Sequence, residues 1–338
     1  MSVIKVFNER KFPIALGAIA FSMLLLATFL TYLKNPADHA DIPVKVEIPK
    51  GANLTAVVSI LSDAGLIKHK TLFHILAGLK NVENRIRAGE YELSTSMTPA
   101  HILDKIVRGE VVEYKIVIPE GCNLIEIADR LEEDNLIKRE VFLNLTADRK
   151  FLASLGIDAS TAEGYLFPDT YKFTRHTGEK EIIRLMVQRL HAMATSEMRE
   201  RAESLGLTFT QFVTLASMIE KEALLKNERA LISAVFHNRL RIGMKLQSDP
   251  TSVYGMENFN GPIKRSHLKR ISPYNTYVIH GLPPGPISSP GIDSMIAALY
   301  PAPVDYLYFV SRKDGSHQFS SNLRSHNQAA ARYITKKD

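Results

Sequence analysis

The 338-residue chain has no tryptophan and one cysteine, Cys122. A lone cysteine excludes an intramolecular disulfide and any cysteine-rich metal site. It sits in "IPEGCNLIEIADRL", where a strand hands over to a helix and no histidine is close in sequence. A small packed residue is therefore expected there rather than a nucleophile. His237, His267, His280, His317 and His326 show no H-x-x-x-H or Cys-His spacing, so no metal and no other cofactor is expected. Charge of one sign is also scarce: 42 Lys and Arg against 36 Asp and Glu give a net +6. The basic residues are spread rather than striped, which argues against nucleic acid as a partner.

What is present begins with one long apolar run. Phe12 to Leu33 carries no charge, and 22 residues at helical rise cover the roughly 30 Å of a bilayer core. Lys5, Arg10 and Lys11 precede it, a bias that favours a cytoplasmic N-terminus. The run is too long for the core of a signal peptide, and "PADHAD" offers no A-x-A cleavage site. The expectation is an uncleaved anchor at 12–33, a linker at 34–43 ("KNPADHADIP"), and export of everything after residue 34.

A repeat follows. "KVEIPKGANLTAVVSILSDAGLIK" starts at Lys45 and "KIVIPEGCNLIEIADRLEEDNLIK" at Lys115, an offset of 70 at which Pro49, Gly51, Asn53, Leu54, Leu61 and Leu66 recur in kind. Each copy alternates like a strand, turns at Pro-x-Gly, and starts a helix with Asn as N-cap. Each has a later strand partner, "AGEYEL" at 88–93 and "EGYLFPDTY" at 163–171. "SMTPAHILDKIV" carries a Thr-Pro helix start. From Glu179 the pattern turns helical: "EKEIIRLMVQRLHAMATSEM", the stretch around Glu220, and "RALISAVFHNRLRIGM". Then come the loop-rich "LQSDPTSVYGM" and "SPYNTYVIHGLPPGPISSPG", too dense in Pro and Gly for long regular structure but suited to a rigid cleft wall. "SRKDGS" reads as a hairpin turn at Asp314-Gly315 between "DYLYFV" and "HQFSS". A last helix starts near Asn322.

Two glutamates in "LASMIEKEAL" invite comparison. Apolar residues at Phe212, Leu215, Ala216, Ile219 and Ala223 have helical spacing, and residues two apart on a helix point to different faces. Glu222 has Lys226 at i+4 and reads as solvated and paired. Glu220 has Ala216, Ser217, Ala223 and Leu224 as neighbours and no cation, so it reads as a carboxyl on a small-residue surface open to a bulky ligand.

"EGYLFPDTY", "LASMIEKEA", "VFHNRL", "LQSDPTSVYG", "SPYNTY", "GLPPGPISSPG" and "YLYFVSRKDGSHQFS" occur in this order, and the chain resembles the endolytic murein transglycosylases, membrane-bound lytic transglycosylases of type G. The resemblance covers nearly the whole chain. It implies an α+β fold with an N-terminal transmembrane helix, duplicated LysM-like α/β subdomains (44–112 and 113–178) and a mixed helical/β catalytic domain with a loop-lined groove (179–338). It implies cleavage of MurNAc–GlcNAc bonds in peptidoglycan glycan strands to 1,6-anhydro ends, at the bacterial inner membrane with the catalytic domain outside the cytoplasm. Peptidoglycan synthases are implied partners. Glu220 matches the family's catalytic residue, and one carboxyl serves both proton transfers of this reaction. An apolar surround would keep it protonated near neutral pH. Ser325, in "LRSHNQ", stands where many members carry Glu, and no role is assigned to it.

The candidate sugar-binding residues are Gln247, Ser248, Asp249, Tyr254, Tyr274, Asn275, Tyr277, Pro283 and Pro284. With no tryptophan, tyrosine is the residue left to stack on a pyranose face, and Asn275 offers a donor and an acceptor to an acetamido group. Asp249 has the alternative of an ordinary turn residue before Pro250. Two rival functions remain: a hydrolase using Glu220 as acid and Asp249 as base, and a non-catalytic glycan-binding scaffold.

Overall fold

The computed structural model describes residues 3–256 and 259–333, and for residues 3–13 the helical backbone only. The basic flank before the apolar run therefore lies outside the described side chains. The chain divides into two compact units, one running to Tyr114 and taking in Thr174–His176, the other made of Lys115–Phe173 and the chain from Thr177 onward.

The first unit opens with helix α1 (Val3–Lys34), whose segment Ile14–Lys34 is long and apolar enough to cross a membrane and is largely exposed up to its last turns. Strand β1 (Pro43–Ile48), helices α2 (Leu54–Asp63) and α3 (Lys70–Leu79), strand β2 (Gly89–Ser94) and helix α4 (Pro99–Arg108) follow. β1 and β2 pair antiparallel, with Pro43 opposite Ser94 and Ile48 opposite Gly89. Alternation sends Val46, Ile48, Tyr91 and Leu93 into a core shared with Val57, Leu61, Phe73 and Ile102. Asn53 caps α2 by accepting from the Ala56 amide, and Thr98 caps α4 with Pro99 in its first turn. Both caps satisfy amides that the helix itself leaves without partners. Gly109 closes α4 at φ 72°, a conformation that a Cβ would strain. The last turn of α1 joins this core through Tyr32, with Phe29 and Leu33 against it.

The second unit begins with the same local grammar. Strand β3 (Tyr114–Val117) leads to α5 (Leu124–Glu133), whose N-cap Asn123 forms a reciprocal capping box with Glu126. Helices α6 (Arg139–Leu145) and α7 (Arg149–Ser154) come next, and strand β4 (Thr170–Phe173) pairs with β3. The expected strand at 163–171 is corrected here: Tyr165, Leu166 and Phe167 are all buried, but they lie in a loop, and pairing starts only at Thr170. Loss of alternation is the physical reason, since consecutive buried residues do not suit a strand with one wet face.

Helices α8 (Glu179–Met193) and α9 (Ser196–Ser204) divide at Thr195, which caps α9. α10 (Phe209–Glu222), α11 (Arg229–Arg241), the short α12 (Asp249–Val253) and, after α13 (Arg265–Leu268), which buries none of its residues, α14 (Ile292–Leu299) build the core, with α10 packed mainly on α14 and α11. The hairpin β5 (Tyr308–Ser311) and β6 (His317–Ser320) turns through Lys313 and Gly315, both at positive φ. Helix α15 (Leu323–Tyr333) starts after Asn322, whose side chain accepts from the Ser325 amide. No helix or strand occupies residues 269–291, as the Pro and Gly density there requires.

Candidate active site

α10 starts from a capping box between Thr208 and Gln211 and is buried continuously from Phe212 to Ile219. A helix closed in on every side offers only its ends to a ligand, and this one ends on the two glutamates. Both carboxylates then sit at the negative end of the helix dipole, where they need compensation or a proton.

Glu220 is compensated. Its Oε1 accepts from Arg229 Nη2 at 2.9 Å, and its Oε2 accepts from the Gly291 amide at 2.9 Å, at the N-terminus of α14. The side chains are only 8% (Arg229) and 6% (Glu220) exposed. Arg229 also donates to Ser294 Oγ and approaches Glu120 and Asp293. Burial and the Glu220 charge push the Glu120 carboxyl up. The expectation of an unpaired Glu220 on an apolar surface is thus corrected. Its cation comes from the next helix, nine residues on, where helical neighbour rules give no guidance.

Glu222 is the opposite of the surface pair expected from its i+4 spacing. α10 stops at Glu222, so Lys226 lies in the following 3-10 turn and pairs instead with Asp293 at 3.0 Å. The Glu222 carboxyl is half-buried and accepts from Ser248 Oγ at 2.6 Å. Burial, helped by the charge of Asp249, pushes it up to about 7. Among the described residues no lysine or arginine forms an ion pair with it. Burial thus favours its protonated form near neutral pH.

Ser248 is fully buried and its backbone amide donates to Thr276 Oγ1. It positions Glu222 instead of lining a groove. Asp249 is exposed, and Tyr277 donates its hydroxyl to it. Burial and the Asp249 carboxylate push the Tyr277 phenol up, so it remains a donor. Gln247 is exposed and held at φ 51°, an uncommon conformation for a side chain with a Cβ. Arg239 donates to its Oε1 and to the carbonyl of Leu246, fixing this turn from α11.

Tyr254 and Tyr274 form a tilted ring pair with centroids 4.6 Å apart. Tyr254 donates its hydroxyl to Glu163 Oε2 at 3.0 Å. Glu163 is 4% exposed, accepts also from the Leu124 amide, and leaves Oε1 without a partner. Burial pushes its carboxyl up to about 7. Next to it, Gly164 sits at φ 78° where an added Cβ would lie 2.3 Å from the Pro286 Cβ. The loop around Glu163 thus fits against the Pro-rich loop only with glycine there.

A family model described as the YceG-like family matches residues 46–332. The chain belongs to this family. An endolytic murein transglycosylase of Bacillus subtilis is 32% identical over 314 residues, covering 87% of this chain and 86% of the relative. One of Streptococcus pneumoniae is 32% identical over 326 residues, covering 87% of this chain and 59% of the longer relative. A crystal structure of a yceG-like protein from Listeria monocytogenes matches at 36% identity with a TM-score of 0.59, over 86% of this chain and all of that one. The resemblance read from the sequence motifs is borne out by these matches.

Within this YceG-like chain the remaining candidates part company. Asn275 is fully buried: its amide donates to the carbonyls of Leu268 and Arg270 and its oxygen accepts from the Tyr277 amide. The expected sugar contact is corrected, because the side chain is consumed in shaping the turn. Pro283 and Pro284 line a cavity of about 1280 Å³ with Thr208, Gln211 and His237. That is the start of α10, about 20 Å along the helix axis from Glu222 at 1.5 Å per residue. This cavity is thus not the carboxyl site, and the chemistry of the residues, not cavity size, locates the latter. Glu163 was missed from sequence because a glutamate in a predicted strand has no visible partner; the apolar "GYLF" after it was the available signal.

Glu163 carries a pH signature. The folded chain holds this proton up to about pH 7, while the unfolded carboxyl releases it near its ordinary 4.5. Stability from this group is complete below about 4.5 and falls as pH rises through that window. Glu163→Gln is expected to lessen the fall in melting temperature between about pH 5 and pH 7. An unchanged slope would show that the buried carboxyl does not titrate there.

Proposed function

We propose that the protein is an endolytic peptidoglycan lytic transglycosylase in which Glu222 performs the proton transfers and Glu220 holds the end of α10 in place. The observation that carries this reading is the placement of Glu222 at the end of the buried α10, where its carboxyl accepts from Ser248 Oγ at 2.6 Å and forms no ion pair with a lysine or arginine among the described residues; burial and the Asp249 charge push it up to about 7. Near neutral pH a substantial fraction is protonated, as a general acid requires. Glu222 gives its proton to the glycosidic oxygen and the C1–O bond breaks. The C6 hydroxyl oxygen of the same N-acetylmuramic acid bonds to C1, and its proton passes to the Glu222 carboxylate. The acid is regenerated, no water enters, and a 1,6-anhydro end results. Ser248 holds the carboxyl oxygen, and the neighbouring Asp249 helps raise the acid.

The same Asp249 supports a second reading. An exposed carboxylate beside a protonated one is also the equipment of a hydrolase. Mass spectrometry of glycans after incubation with the full-length protein separates the two. Anhydro ends are expected; reducing ends would shift the assignment to hydrolysis, and uncut strands to a binding scaffold.

The first unit supports a glycan-binding role. Its strand, two helices and antiparallel strand follow the order of a LysM-like module, and Gly51–Thr55 with Glu83–Ile86 frame an open depression of about 550 Å³. The apolar Ile14–Lys34 helix supports a single-pass anchor, and the basic residues before it support an N-terminus in the cytoplasm. A reporter fused after Asp338 is expected to work only if it is one active outside the cytoplasm. Activity of a cytoplasm-only reporter there would reverse the orientation. Cutting strands near the membrane would limit their length and bring the protein close to the synthases that extend them.

A further inference from the structure

A cavity of about 590 Å³ lies within the first unit, where α1 leaves its apolar span. One wall is the end of the span itself, including Ala27, Thr31 and Tyr32; the facing wall includes Ile67, Leu72 and Pro99. Thr28 and Thr31 spend their hydroxyls on the helix carbonyls of Leu24 and Ala27, so these turns offer the cavity little hydrogen bonding. Tyr32 differs. Its residue is 8% exposed and its ring meets His69 edge-on, yet its buried hydroxyl has no hydrogen-bond partner. Burying a hydroxyl without a partner is unfavourable, and a ligand acceptor in the cavity would relieve that cost. Lys68 and His69 stand at the rim, both exposed, and Lys68 forms no ion pair among the described residues. The neighbouring Lys70, by contrast, pairs with Asp63.

We infer that this cavity holds one anionic membrane phospholipid. The occupant follows from position and chemistry. A cavity walled by the final turns of a membrane span opens at the depth of the headgroups and ester groups. Ile67, Leu72 and Pro99 suit the upper part of an acyl chain, the Tyr32 hydroxyl suits an ester carbonyl, and Lys68 suits the phosphate. An exposed lysine attracts an anionic headgroup electrostatically over about a Debye length. Because Phe29, Tyr32 and Leu33 already bind α1 to the core of the unit, a lipid here would brace the anchor against the domain at the bilayer surface. The site is independent of the catalytic assignment.

The test is native mass spectrometry of the full-length protein released from nanodiscs of phosphatidylglycerol or phosphatidylcholine. One phosphatidylglycerol per chain is expected to persist in the wild type. Leu72→Trp, which fills the cavity, and Lys68→Glu, which reverses the rim charge, are expected to reduce that occupancy roughly tenfold or more. Both variants should retain the wild-type rate of glycan cleavage in detergent, which verifies that they fold. Equal retention of the two lipids, or retention of phosphatidylglycerol unchanged by both substitutions, would mean only general lipid around the span and would overturn the inference. If no lipid persisted on the wild type, the inference would also fail.

Discussion

Glu222→Gln is expected to lower the rate of anhydro-end formation by on the order of a hundred- to ten-thousand-fold. Gln keeps the shape and can still accept from Ser248, but it can neither give a proton to the leaving oxygen nor recover one from the C6 hydroxyl. The folded protein should still retain uncut strands in a pull-down assay. Glu220→Gln gives the contrasting outcome. It removes the charge that compensates a buried Arg229, so its main loss is stability, and the folded fraction should keep a larger share of its rate. The discriminating measurement is product rate together with melting temperature for both variants. If Glu222→Gln cut at the wild-type rate while Glu220→Gln, equally stable to heat, did not, the roles would be exchanged.

The second large effect is on the fold. Arg229→Met leaves Glu220 buried without its cation, and breaking such a pair from one side typically costs about 3–5 kcal/mol. For a unit of this size the melting temperature should fall by roughly 10 °C. Glu120 and Asp293, with side chains 43% and 39% exposed, contribute little to that figure because solvent screens them. Adding Glu220→Gln to Arg229→Met should recover part of the loss, since the two residues share one interaction. A double variant whose loss equals the sum of the single losses would show that the pair is not coupled.

The contrast between these two residues shows what the sequence could and could not disclose. Asn53, Thr98 and Asn123 were legible as helix caps because a cap's partner lies two or three residues away. The apolar span and the Asp314-Gly315 turn were legible for the same reason. Partners of Glu220 and Glu222 were not, because Arg229, Gly291 and Ser248 arrive from separate elements through tertiary packing. The i+4 rule failed at Lys226 for a definite cause: it applies only while the helix continues, and α10 ends at Glu222. Asn275 failed in another way. Its donor and acceptor suit a sugar as well as a turn, and only burial shows which of the two has taken them. Family motifs pointed to this helix and these loops, while the partners of the two glutamates in "IEKE" needed three dimensions.

The continuous burial of α10 from Phe212 to Ile219 sets a limit on how this protein can drift over generations. Adding or removing one residue in that stretch would turn everything after it by about 100° and shift it 1.5 Å along the axis. Glu220 would leave Arg229 and Gly291, and Glu222 would leave Ser248, in a single event. Surface loops absorb insertions readily, so length variation among descendants should accumulate there and stop at the ends of this helix.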